Sequence, residues 1–312
     1  MERIICVVGP TASGKTELAL ALAEEYGGEI LSCDSMQLYR RMDIGTAKPT
    51  MEERRGIVHH LLDAAEPDEP FSAGRYQELA EPILQDVLSR GKTAIVTGGT
   101  GLYMDALIRG NAFAPSPAPG LRERIERRLA ETGAAALLEE LRRVDPETAA
   151  RLHEADHKRI VRALEIYEQT GVPMSARDAE MRKAMPKHRA LWIGLFFSDR
   201  GQLYDRINRR VDKMLESGLV DEVQGLLQSG VPDSATAMQA IGYKEIAAYL
   251  RGECSLDAAA EAVKQGTRRY AKRQMTWLKK NPEIHWIDRS GFPELSQILP
   301  QCRQLLSDFD RA

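Results

Sequence analysis

The sequence predicts a doubly wound α/β core, built on a parallel sheet and interrupted by an all-helical insertion. Three observations predict it. Short continuous apolar runs recur at residues 3–8, 29–33, 93–97 and 191–197, as in strands buried on both faces. Helical patterns separate them, over 16–25 and 73–90 and then from about 121 to 170. The chain returns to a strand at Leu191 only after a stretch rich in Arg, Glu, Leu and Ala, so that stretch reads as an insertion.

Two breaks frame the insertion. Ala114-Pro115-Ser116-Pro117-Ala118-Pro119-Gly120 cannot continue a helix and reads as a linker. On the far side, Gly171-Val172-Pro173 ends a helix, and Met185-Pro186 precedes the returning strand. The boundaries expected are 1–113 with 190–312 for the core and 114–189 for the insertion. Residues 201–280 are again helical, punctuated at Gly230 to Pro232 and at Gly242, and a weaker strand is expected near 285–287.

Composition narrows the class. With 312 residues, 43% hydrophobic and 29% charged, the chain has the make-up of a folded globular protein and not of a disordered one. The net charge of −3 hides a local excess: residues 264–280 hold seven Lys or Arg and no Asp or Glu. Cys6, Cys33, Cys254 and Cys302 lie far apart, without metal-ligand or disulfide spacing, and Cys6 and Cys33 read as small core residues in strands. There is no leader-like or membrane-spanning apolar stretch, so a cytoplasmic protein is expected.

The chemistry starts at residues 9–16, Gly-Pro-Thr-Ala-Ser-Gly-Lys-Thr, directly after the first strand and before the first helix. This is a complete phosphate-binding loop, which makes the core P-loop NTPase-like. Gly9 and Gly14 let the backbone curl its N–H groups inward, Lys15 adds a point charge, and the Thr16 hydroxyl can ligate Mg²⁺. The following helix points its positive dipole end at the same anion.

Ligands of open parallel sheets bind beyond the carboxyl ends of the strands. Asp34, after the second strand, fits either of two roles there: a general base, or a cap on the backbone that follows. The third strand ends in Thr97-Gly98-Gly99-Thr100-Gly101, without the Mg²⁺-directing Asp usual in a nucleotide hydrolase. Its glycines permit close approach of a ligand to the backbone. Asp63 and Asp199 read as surface turn residues. Near the C-terminus, Arg268, Arg269, Lys272 and Arg273 share a helical stripe, with Tyr270, Gln274 and Trp277 on another. Basic residues beside aromatic ones suit an RNA backbone with bases that stack, although Trp277 packed in the core is the plainer alternative. Residues 159–165 offer a second basic face, in which Arg162 and Glu165 can also simply pair.

These segments together resemble the tRNA dimethylallyltransferases, which prenylate the adenosine 3′ of the anticodon. The matching stretches are GPTASGKT, SCDSMQLY, GTAKP, HHLLD, GGTGLY, RIVRALE, residues 203–223, AIGYKE and TRRYAKRQMTW, in family order over nearly the whole chain. The resemblance implies that Gly9, Thr11, Ala12, Ser13, Gly14, Lys15 and Thr16 hold the diphosphate of dimethylallyl diphosphate with Arg210, and that Thr16 acts through Mg²⁺. It implies that Asp34 accepts the N6 proton, with Thr100 and Lys15 at the reacting centre. It places Asp34, Ser35, Met36, Gln37, Thr100, Arg122, Glu123, Lys158, Arg159, Arg162, Arg268, Lys272 and Arg273 against tRNA. Lys158 stands where many members carry Gln. The lack of a Cys/His cluster near the C-terminus fits the bacterial organisation, and a monomer is expected. Free AMP, ADP or ATP as acceptor is the alternative within the same chemistry. A small-molecule P-loop kinase is the alternative outside it.

Overall fold

The computed structural model describes residues 3–111, 113 and 118–311, so most of the linker expected at 114–120 lies outside the described residues. Two compact units emerge, Met1–Gly110 with Lys187–Ala312 and, separately, Asn111–Pro186.

The first unit is organised by six strands: β1 (Ile4–Val8), β2 (Glu29–Ser32), β3 (His59–His60), β4 (Ala94–Gly98), β5 (Leu191–Phe196) and β6 (Ile284–Asp288). They lie in the order β3-β2-β4-β1-β5-β6, and every pairing is parallel. The apolar run Ile4-Ile5-Cys6-Val7-Val8 is buried at all five positions, as expected of a strand flanked by β4 and β5 and covered on both faces. Cys33 falls one residue beyond β2, although its amide still bonds the Thr97 carbonyl in the same register (2.7 Å). The two-residue β3 carries His59 and His60 with no apolar run, which is why it gives no strand signal. Strand order reverses at β1, so the crevice beyond its carboxyl end is the topological switch point.

Helices α1 (Lys15–Tyr26), α2 (Ala73–Ser89) and α3 (Gly101–Arg109) belong to the N-terminal half of this unit. Ser72 caps α2 by accepting from the Arg75 amide, and Gly27 closes α1 in the left-handed region. In the second unit the helical stretch expected over 121–170 divides into four helices: α4 (Leu121–Thr132), α5 (Ala134–Val144), α6 (Pro146–Ala149) and α7 (His157–Thr170). Gly133 separates the first two, and the Asp145-Pro146 step starts the third. Helix α8 (Met174–Lys183) completes the unit. Its own core is made of Leu121, Ile125, Leu137, Leu141, Ile160 and Leu164, one apolar stripe from each of three helices. Asp145 ties two more together, accepting from Thr148 N and Ser175 N at 3.0 Å each.

The chain then re-enters the first unit through β5, followed by α9 (Arg200–Glu216), α10 (Leu219–Gln228), α11 (Tyr243–Leu250), α12 (Leu256–Leu278) and α13 (Leu299–Arg311). Asp199 is the cap of α9, its Oδ1 accepting from Gly201 N (2.8 Å). The main core packs Ile5, Val7, Ile30, Ile95 and Ile193 of the sheet against Leu18 and Leu22 of α1 and Leu306 of α13. Cys6, Cys33 and Cys302 are buried free thiols. Among the described residues, no helix is long and apolar enough to cross a membrane.

Candidate active site

The phosphate loop leaves β1 at Gly9, whose φ of 149° and proximity to Leu195 exclude a side chain: a Cβ there would lie 2.5 Å from the Leu195 carbonyl oxygen. Ala12 and Gly14 both have positive φ (64° and 94°), which curls the segment between them. Two distant helices hold this curl. From α9, Arg206 Nε donates to the Ala12 carbonyl (2.8 Å), and from α12, Gln274 Oε1 accepts from Thr11 N (2.8 Å). Gln274 also donates through Nε2 to the Gly99 carbonyl (2.9 Å), so one buried amide joins the loop to the end of β4. Its sequence signals were the i+4 spacing from Tyr270 and its place in the TRRYAKRQMTW stretch.

The glycines after β4 serve packing more directly than ligand approach. A Cβ on Gly98 would sit 2.0 Å from the Cys33 carbonyl oxygen, one on Gly99 2.1 Å from Gln274 Nε2, and one on Gly101 2.1 Å from Trp277 Cδ1. Their neighbours are thus protein groups on two sides, while Gly98 and Gly99 still face the cavity. Trp277 is half exposed and donates its indole N–H to Asp105 Oδ2 (3.2 Å), so it is not a core residue.

A cavity of about 430 Å³ opens at the switch point. Lys15, Thr16, Arg210, Asp34 and Gln37 all line it. Lys15 Nζ donates to the Pro10 carbonyl (2.8 Å), and Arg210 Nη2 to the Thr46 carbonyl (3.2 Å). Burial first, and the Arg210 charge second, push the Lys15 ammonium down to about 8. Burial likewise lowers the Arg210 guanidinium, partly opposed by Asp34. Among the described residues neither cation has an ion-pair partner, an arrangement that suits a bound anion.

Asp34 takes the capping role with one oxygen only. Its Oδ1 accepts from Met36 N (2.9 Å) and Gln37 N (3.3 Å), an Asx-type cap, and Oδ2 has no protein partner among the described residues. The cap thereby fixes the carboxylate and leaves one oxygen for a ligand. Thr100 Oγ1 accepts from Ser35 N (3.0 Å) and donates to Ser35 Oγ (3.2 Å), bracing the same segment from β4. Tyr270, whose phenol burial pushes up to about 12, interacts with Thr100 and Gln274 and remains a donor at neutral pH. Asp63 is more than a turn residue: with φ of 54°, it receives Lys48 Nζ at 2.6 Å.

The basic stripe of α12 divides. Arg273 borders the cavity and lies over the Tyr270 ring (5.6 Å), and Lys272 is exposed. Arg268 is instead engaged within the protein, donating to Asn208 Oδ1 (2.8 Å) and Glu261 Oε1 (2.7 Å). In the helical unit, Arg122, Lys158, Arg159 and Arg162 border a separate cavity of about 540 Å³, with Arg151 adding a fifth cation. Arg162 also pairs with the buried Glu165 (3.2 Å), and Glu123 is exposed outside that cavity. Among the described residues, no group of three His, Cys, Asp or Glu could hold a metal ion.

The profile of the IPP transferase family matches residues 37–281. A tRNA dimethylallyltransferase of Acetivibrio thermocellus is 47% identical over 310 residues, covering 99% of each chain. Among solved structures, the tRNA isopentenylpyrophosphate transferase of Bacillus halodurans superposes with a TM-score of 0.74 at 38% identity, over 99% of this chain and 97% of that one. A eukaryotic dimethylallyltransferase acting on tRNA gives a TM-score of 0.81 at 30% identity, over 96% of this chain and 76% of its own. The profile spans most of the sequence and the A. thermocellus relative aligns over 99% of both chains, and on those grounds the chain belongs to the IPP transferase family.

Proposed function

We propose that this protein transfers the dimethylallyl group of dimethylallyl diphosphate to N6 of the adenosine immediately 3′ of the anticodon in tRNA, releasing diphosphate. The observation that carries the reading is the convergence on one cavity of two desolvated cations, Lys15 and Arg210, with a carboxylate that keeps one oxygen free. The A. thermocellus relative, a tRNA dimethylallyltransferase, agrees with it.

The chemistry follows from that pairing. The N6 lone pair forms the new bond to C1 of the allyl group, and the C1–O electron pair leaves with the diphosphate. Lys15 and Arg210 stabilise the charge that builds on the leaving oxygens. The N6 proton passes to Asp34 Oδ2, which the Met36 and Gln37 amides hold in place through Oδ1. An adenine inside a folded anticodon loop reaches this cavity only if it leaves its stack. Arg273 and the exposed Lys272 then meet the RNA backbone.

Thr16 is the residue that would hold Mg²⁺. A single hydroxyl on the cavity wall suits an ion that takes its other ligands from diphosphate oxygens and water, and does not suit a cage built by the protein alone. When bound, Mg²⁺ would supply further charge neutralisation on the leaving diphosphate.

The deciding experiment incubates the protein with unmodified tRNA and dimethylallyl diphosphate and weighs the digested nucleosides. Expected is an adenosine heavier by one C5H8 unit. Prenylation only of AMP or ATP in parallel reactions, or phosphoryl transfer from ATP, overturns the reading.

A further inference from the structure

We infer that Glu222 is a positioning residue for the diphosphate end of the cavity, acting through the 43–48 loop on Arg210 and Gln37. The inference rests on the function proposed above. In the sequence Glu222 is simply an acid in the first turn of α10, where a carboxylate complements the helix dipole. In the structure its side chain is spent elsewhere.

Glu222 Oε2 accepts from Asp43 N (2.8 Å) and Ile44 N (2.7 Å), and Oε1 accepts from Gly45 N (3.0 Å) and the Tyr243 hydroxyl (2.5 Å). Four donors fill the acceptor capacity of one carboxylate. Three of them are consecutive backbone amides from a segment about 180 residues away in the chain, a concave arrangement of N–H groups closed around a negative charge. Gly45 lets this happen, since a Cβ there would sit 2.5 Å from the Tyr243 ring.

With the 43–45 amides held by Glu222, the next two carbonyls face the site. Thr46 O accepts from Arg210 Nη2 (3.2 Å) and Gln37 Nε2 (3.3 Å), and Ala47 O accepts from Gln37 Nε2 (3.2 Å). At its other end the loop is anchored by buried Lys48, which donates to Tyr39 O (2.8 Å) and pairs with Asp43 and Asp63 (2.6 Å each). Glu222 itself does not line the cavity, whereas Thr46, Ala47, Arg210 and Gln37 do. Its influence on a substrate therefore passes through the loop. The direction of the Arg210 guanidinium is set by a carbonyl whose own position depends on Glu222.

A double-mutant cycle tests this on the full chain. Glu222→Gln replaces one acceptor oxygen with an N–H group that opposes a backbone N–H. Expected is a KM for dimethylallyl diphosphate raised about tenfold with kcat changed less than about threefold, and about threefold for Tyr243→Phe. In an Arg210→Lys background, either substitution should add little, because the loop then has no guanidinium to aim. Additive effects overturn the inference, as does a lowered thermal midpoint with an unaltered KM. If Glu222→Gln fails to fold, the Tyr243→Phe cycle with Arg210→Lys decides in the same way. Calorimetric titration with inorganic pyrophosphate repeats the cycle without prenyl transfer. A wild-type protein that does not prenylate tRNA thus defeats the proposed function, while the pyrophosphate cycle still judges Glu222.

Discussion

The cations of the core cavity and those of the helical unit carry the same charge in opposite settings. Lys15 and Arg210 are desolvated, and among the described residues neither has an ion pair; each donates to a backbone carbonyl. In the helical unit Arg122 pairs with Glu126 (3.2 Å), Arg128 with Glu140 (3.4 Å) and Glu168, and Arg142 with Glu139, mostly on exposed surface. Unpaired buried charge is costly, and a fold retains it where a ligand of opposite sign repays the cost. Exposed pairs contribute about 0–1 kcal/mol each, so their arginines exchange one anion for another at little expense. The first setting suits a small, fixed, highly charged leaving group. The second suits a long polyanion met at many weak points.

The sharpest way to break this comparison is at Asp34, the carboxylate that lines the same cavity as the two cations. Asp34→Asn should lower single-turnover prenyl transfer about 10²- to 10⁴-fold, with pyrophosphate affinity retained or improved. Retained transfer removes Asp34 as the proton acceptor. Next in size, Lys15→Ala should raise KM for dimethylallyl diphosphate about 10- to 100-fold, the loss of one charge-assisted contact in a dry site.

The pH dependence sharpens the same point. Burial brings Lys15 to about 8, so the free enzyme loses this charge as pH rises through that value. The kcat/KM for dimethylallyl diphosphate should therefore fall above about pH 8, and Lys15→Arg should move that fall to higher pH. A profile flat from pH 7 to 9.5 in the wild type speaks against it.

A smaller effect is expected from Gly99→Ala, where the new Cβ must displace Gln274 Nε2. A drop in kcat/KM of about tenfold is expected, with little further loss when Gln274→Ala is added, because both changes release the same bridge between loop and β4. Independent effects would show that Gln274 does not carry the coupling. The smallest effect belongs to the helical unit. Arg159→Ala should weaken tRNA binding about threefold and reduce the salt slope of binding by about one, leaving pyrophosphate affinity untouched. Loss of pyrophosphate affinity in that variant would erase the distinction between the two regions.

Legibility in the sequence followed the range of the interactions involved. The phosphate loop was readable because its parts lie within eight residues and its physics is local: two glycines, a lysine and a hydroxyl between a strand and a helix. Four of the six strands were readable from their apolar runs, and β6 more weakly. The two-residue β3 was not, since hydrogen bonds to β2 define it and no side-chain pattern marks it. Asp34 left two roles open in the sequence, and the structure shows the cap, made by Oδ1 alone. Gln274 and Glu222 were not legible as site residues. One passes for a polar residue on an amphipathic helix and the other for a helix-dipole acid, and their partners lie 263 and 177–179 positions away.

By itself, then, the sequence determined the phosphate loop, the parallel core and the existence of a helical insertion, because strand burial, helix periodicity and loop curvature are written in adjacent residues. Only the tertiary structure decided where the loop's charge is spent. Desolvation of Lys15 beside Arg210, the free oxygen of Asp34, and the amide cradle around Glu222 all arise when segments far apart in the chain exclude water together. The phosphate loop offers the same backbone N–H groups to any phosphate ester. Its neighbours across the cavity, not its own eight residues, carry the proposal that it holds a diphosphate leaving group.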